Sequence, residues 1–179
     1  MIFFIEMFND IIEFMDTGGQ VLVVIAVVVC LMWLLIFERF LFVFIQFKTM
    51  KAQLLTSWRA RGVAQSKQQS WNNEQIREAM ISQGQLSLHK NLPLIQSLVV
   101  LCPLLGLLGT VTGMIEVFDV MAISGSGNAR SMASGVSRAT IPTMAGMVAS
   151  LSGVFASTYL QRRAKRETEL LKDAMPIPH

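Results

Sequence analysis

The chain has 179 residues, 53% of them hydrophobic, with a formal net charge of +3. Its mean hydropathy of +0.51 is too apolar for an ordinary soluble domain of this length, which leaves a single membrane-embedded domain as the expectation. The pI of 9.1 does not indicate a nucleic-acid partner, because the bases are not interleaved with a recognition motif and their placement follows membrane orientation instead.

Residues 1–17 alternate apolar positions with Glu6, Asn9, Asp10, Glu13 and Asp16 at helical spacing. This predicts an amphipathic helix lying in the outer membrane interface, with a plain extension of the first span as the alternative. The stretch holds acids and no base, so a cleavable leader is not expected. Gly18 and Gly19 predict a break before the first transmembrane helix, assigned to 18–47. Its Val21 to Phe37 run is uncharged, and Arg39 is expected to snorkel towards headgroups.

Residues 48–91 turn polar, with apolar residues at helical spacing around Leu54, Leu55 and Trp58 and around Ile76, Met80 and Ile81. Two or three cytoplasmic helices are expected there, with Gly62 and Gly84 as punctuation and no dense core. The second transmembrane helix is assigned to 92–121, a short periplasmic loop to 122–131, the third helix to 132–160 and a cytoplasmic tail to 161–179. Thirteen of the fifteen bases then fall on one side, which the positive-inside bias assigns to the cytoplasm and leaves the N-terminus periplasmic.

The second and third spans carry stripes of small residues. Gly106, Thr110 and Gly113, with Gly109 beside them, recur on one face of the second span. Ala139, Thr143, Gly146, Ser150, Gly153 and Ser157 recur every three to four residues on the third. Such stripes bring helix backbones together, either within one chain or, as two stripes at once suggest, between copies. Cys30 and Cys102 each sit inside an apolar run and are expected as small hydrophobes.

Catalytic, metal-binding and phosphate-binding patterns are missing. His89 and His179 are the only histidines, and GLLGTVTG lacks the lysine of a phosphate loop. No cofactor and no enzymatic activity are expected. Counting residues from Glu116 and Arg138 along antiparallel spans puts Thr110 and Thr143 at similar depth. A hydroxyl can pass a proton or hold water but cannot store a charge, and each could instead bond a carbonyl of its own helix. Glu116 and Arg138 lie near the outer ends of their spans, so they could pair with each other or reach headgroups.

The segments PLLGLLGTVTGMIEVF, from Pro103 to Phe118, and GVSRATIPTMAGMVASLSG, from Gly135 to Gly153, resemble the ExbB/TolQ/MotA proton-channel family, ExbB most closely. The resemblance implies an all-α membrane protein of the bacterial inner membrane, with three transmembrane helices extended into the cytoplasm and assembled as a pentamer around a central pore. It further implies an ExbD-like single-span partner carrying the protonatable Asp, a TonB-like protein beyond it, and phospholipid around the ring. Thr110 and Thr143 match the family's pore-facing threonines. ExbB has an acid at the position of Arg138, so that residue departs from the pattern. The resemblance points to a motor for TonB-dependent transport, with a TolQ-like envelope motor or a non-conducting scaffold as alternatives.

Overall fold

The computed structural model describes residues 2–60, 66–124 and 129–176. Every element in them is helical: α1 Ile2–Leu41, a π-helical turn Phe42–Gln46, α2 Phe47–Arg59, α3 Lys67–His89, α4 Leu92–Ser124 and α5 Ala129–Asp173. Among the described residues three helical stretches, Gly19–Arg59, Lys67–Ile123 and Met132–Asp173, are long and apolar enough to cross a membrane. Helices are the expected form for such segments, because within hydrocarbon every backbone N–H and C=O must be bonded inside its own segment.

The chain divides into two compact units, Met1–Trp33 with Gln96–Val154 and Leu34–Ile95 with Phe155–His179. The first is built from the apolar parts of α1, α4 and α5. Its buried residues include Leu22, Ile25, Met32, Val99, Cys102 and Ala139. Large apolar side chains elsewhere on it remain uncovered, with Leu107 57% and Val148 70% exposed. A soluble monomer rarely presents such a surface, whereas lipid or neighbouring membrane helices would cover it at no cost.

At Gly19 the helical course of α1 is broken, with φ 67° and ψ −167°. That positive φ suits a residue without Cβ and would strain any other. The side chains on which the amphipathic face of 1–17 depends, Glu6, Asp10, Glu13 and Asp16 among them, lie outside the described residues, as does Gly62.

The second unit holds the polar helices. Weak apolar faces on α2 and α3 become a small core through a contribution from the C-terminal part of α5. Ile81, Leu171 and Met175 are buried together, and Leu54, Leu55, Trp58 and Met80 pack against them. On α5 the residues Ser157, Leu160, Ala164, Thr168 and Leu171 are all buried and follow one another every three to four positions, and the buried Met175 continues the series just past the end of the helix. Gly84 does not punctuate here. It lies inside α3, where a Cβ would come 2.7 Å from the Leu171 side chain, so the glycine provides room for that residue.

Arg39 also departs from expectation. It is 3% exposed and does not snorkel. Its guanidinium donates to both carboxylate oxygens of Glu38, at 2.7 and 3.1 Å, and to the Ser87 carbonyl at 3.3 Å. It also lies 5.0 Å from the centre of the Phe42 ring. The Asn91 amide donates to the same Glu38 at 3.3 Å, which ties down the one non-glycine residue of positive φ among the described residues. A guanidinium offers five donors and a stackable face, so these partners satisfy most of its bonding capacity away from water.

Candidate functional site in the apolar helices

The small residues of α4 and α5 face each other inside the first unit. A Cβ added at Gly106 would lie 2.9 Å from the Pro142 carbonyl oxygen and 2.9 Å from Thr143 Cα. At Gly109 it would strike the Pro142 ring, and at Gly113 it would lie 2.8 Å from Ala139 Cβ. From the other side, a Cβ at Gly146 would stand 2.5 Å from the Cys102 carbonyl oxygen and 3.2 Å from Gly106 Cα. Gly153 receives Met32 and Val99, and Gly135 receives Val117. Ser150 is half-buried between Gly146 and Gly153. The two stripes therefore meet within one chain, whereas their joint occurrence in the sequence had suggested contacts between copies.

Pro142 is central to this seam. A proline within a helix has no N–H to offer the carbonyl four residues back, here that of Arg138, and its ring would normally crowd a neighbouring helix. Gly106 and Gly109 form the notch that admits it. Pro103 stands in α4 under the same constraint.

The two candidate threonines lie within one turn of each other along this seam and use their hydroxyls differently. Thr143 Oγ1 donates to the Gly106 carbonyl at 2.8 Å, a bond that crosses from α5 to α4. Thr110 Oγ1 donates to Leu107 O of its own helix at 2.7 Å. Both protons are thus engaged, and both oxygens keep lone pairs free to accept. A relay through either hydroxyl would begin with rotation about its Cβ–Oγ1 bond, which redirects the proton. The uncharged stretch from Leu92 to Ile115 and that from Ala139 to Tyr159 contain no carboxylate or histidine, so neither helix offers an acid or imidazole to carry a proton at this depth.

Towards the ends of α4 and α5 nearer their connection, a cavity of about 520 Å³ opens between those helices and the Gly19–Val21 stretch. Its polar wall consists of Gln20, Thr112, Glu116 and Arg138. Thr112 bonds back to Leu108 and Gly109 carbonyls, both at 3.1 Å. Glu116 and Arg138 are exposed and share the cavity, but no salt bridge joins them.

In the polar unit, Glu167 accepts from Arg163 at 3.1 Å and pairs with Lys51 at 3.6 Å, and Arg163 lies 5.6 Å from the Phe44 ring centre. Neither this triad nor the Arg39 network was expected from the sequence. The adjacent Glu38 and Arg39, an acid and a base inside an otherwise apolar run, were the available sign of an internal pair.

Comparison with known proteins agrees with this architecture. The chain is similar to two biopolymer transport proteins of Synechocystis sp., ExbB-like 1 and ExbB-like 3. The first is 46% identical over 61 residues, 32% of this chain and 24% of the relative. The second is 34% identical over 91 residues, 46% of this chain and 43% of the relative. The chain thus matches less than half the length of either curated relative. The model of the MotA/TolQ/ExbB proton channel family matches residues 44–173, from within the π-helical turn to the last residue of α5. With most of its length inside that match and three helices able to span a bilayer, the chain belongs to the MotA/TolQ/ExbB proton channel family and is a multi-pass membrane protein.

Proposed function

We propose that the chain is the ring-forming subunit of a proton-driven motor in the bacterial inner membrane, a pentamer whose α4 and α5 line a central pore. The pore holds single-span helices of an ExbD-like partner, which supplies the protonatable Asp, and a TonB-like protein carries the resulting motion to outer-membrane transport. The N-terminus is periplasmic and the C-terminus cytoplasmic, following the distribution of bases. The protein works as a conducting subunit and not as an enzyme.

The observation that carries this reading is the chemistry of the α4–α5 seam. It presents two threonine hydroxyls within one turn of each other and no carboxylate or histidine, so a proton crossing here needs an acid supplied from outside the chain. A partner carboxylate entering beside Thr110 and Thr143 would find hydroxyls able to accept from its protonated form, or to donate to its ionised form after rotation. The available driving force is about 2.3 kcal/mol per charge per 100 mV, so a few protons suffice to remake a helix interface.

The test is co-expression with an ExbD-like partner, followed by native mass measurement of the complex and by proton flux in liposomes with an imposed potential. A five-copy ring that retains the partner and conducts only when the partner's acid is present is the expected result. A complex of another copy number, or flux indifferent to that acid, would refute it.

A further inference from the structure

The cavity at the connection end of α4 and α5 has the volume of a small-ligand site, which typically measures about 300–1,000 Å³. Its wall carries one acid, Glu116, and one base, Arg138, which do not pair with each other. Two opposite charges that share a cavity without a mutual bond are placed to receive a ligand that itself carries both signs. Gln20 and Thr112 add neutral hydrogen-bonding groups to the same wall.

Depth narrows the ligand class. The apolar span from Ser97 to Ile115 is centred on Gly106, and Glu116 lies ten residues further along α4. At 1.5 Å per residue this is about 15 Å, half the thickness of a hydrocarbon core of about 30 Å. Glu116 therefore sits at the boundary where lipid phosphates and amines begin. Arg138 reaches the same level from α5, since its neighbour Ala139 packs against Gly113.

We propose that this cavity binds the headgroup of phosphatidylethanolamine, with the Arg138 guanidinium on the phosphate and the Glu116 carboxylate accepting from the primary ammonium. The guanidinium fork matches two phosphate oxygens, and the ammonium provides N–H donors at the distance of a short headgroup. Phosphatidylcholine presents a methylated cation with no N–H to donate. Phosphatidylglycerol presents no cation, and its headgroup hydroxyls form only neutral-donor bonds to Glu116. The inference rests on the membrane assignment and is independent of ion conduction, so failure of the motor reading leaves it standing.

The experiment uses the purified full-length protein in detergent, titrated separately with dioleoyl phosphatidylethanolamine, phosphatidylcholine and phosphatidylglycerol, with bound lipid counted by native mass spectrometry. The ethanolamine lipid should bind about tenfold more tightly than the other two, as expected of one additional charge-assisted hydrogen bond. Glu116→Gln should erase the distinction between ethanolamine and choline lipids, and Arg138→Gln should weaken both. Glu116→Lys makes the wall doubly basic and should shift the preference to phosphatidylglycerol. Soluble O-phosphoethanolamine in large excess should leave the lipid bound. Equal binding of the three lipids, an unchanged ethanolamine preference in Glu116→Gln, or no shift in Glu116→Lys would each overturn the proposal. Displacement by the soluble compound would overturn it too, by making the cavity a site for a free phosphoamine.

Discussion

Replacing Gly106 by alanine probes one of the close backbone approaches of α4 and α5. The new methyl carbon would stand 2.9 Å from both the Pro142 carbonyl oxygen and Thr143 Cα, and both obstacles are backbone atoms that no rotamer change can move. Ordinary carbon contacts lie at about 3.5–4.0 Å, so α5 must retreat by roughly 0.6–1 Å. A gap of that size forfeits about a quarter to a half of the dispersion energy of each contact it opens. It also stretches the Thr143 to Gly106 hydrogen bond from 2.8 Å to beyond useful length, and such interhelical bonds average about 0.6 kcal/mol in a bilayer. Overpacking penalties in close-packed interiors are about 1–3 kcal/mol, and Gly106→Ala should fall in that range. Gly153→Ala is the internal control, because its new methyl meets the sulfur and terminal methyl of Met32 and one methyl of Val99, of which the Met32 end can swing aside. Unfolding by SDS titration in mixed micelles, followed by circular dichroism, compares the two. Wild-type stability in Gly106→Ala, or a larger loss in Gly153→Ala, would refute the reading that unyielding backbone faces Gly106.

Other expectations follow from the same contacts. Thr143→Val should lose roughly 0.6–1.7 kcal/mol with its cross-helix bond, whereas Thr110→Val should unfold almost as the wild type; both should abolish proton flux in reconstituted liposomes, and normal flux in the double variant would remove the threonines from the pathway. Because Glu116 and Arg138 share a cavity without a salt bridge, each Gln replacement should change stability by less than about 1 kcal/mol, and the charge-swapped double variant should equal the sum of its parts; measurable coupling in that cycle would contradict the structure. Arg39→Lys should not substitute for the buried guanidinium, losing about 1–3 kcal/mol because an ammonium cannot reach Glu38 and Ser87 while stacking on Phe42; a denaturation midpoint equal to the wild type would argue against that network. Leu171→Ala, at a site with no exposed surface, should cost about 2–5 kcal/mol in the polar unit, read from the loss of helical signal on heating.

The apolar helices and their small-residue faces were legible in the sequence because membrane spans obey few rules: sufficient length, few charges, and glycine where backbones meet. Sequence could not indicate which partner each stripe meets. The spacing of Gly106 and Gly113 is the same whether the facing helix belongs to this chain or to a neighbour, and the fit of Pro142 into the Gly106–Gly109 notch and of Ala139 against Gly113 distinguishes them. Nor could charge alone locate Arg39, whose apolar surroundings suggested snorkelling when its partners lie at Glu38 and at Ser87, 48 positions away. In the polar segment the helical spacing was visible, but its core needs Leu171 and Met175 from the far end of the chain, and the tail assigned to 161–179 gave no sign of that partnership beyond a stripe every three to four residues.

The π-helical turn at Phe42–Gln46 has a consequence for how this family changes over time. A π turn is what an α-helix becomes when it absorbs one additional residue without unwinding, so the hydrogen bonds before and after it stay intact. In an uninterrupted α-helix every residue added rotates all that follow by about 100°. Here the widened turn takes up that rotation between two buried positions, Val43 at 5% and Phe47 at 1% exposure, and α2 continues with its inward face preserved. A relative lacking one residue in this interval could therefore keep the same buried face by straightening the turn. Removing the exposed Ile45 should cost this protein little, whereas a single-residue deletion a few positions further along α2 should turn Leu54, Leu55 and Trp58 away from their core.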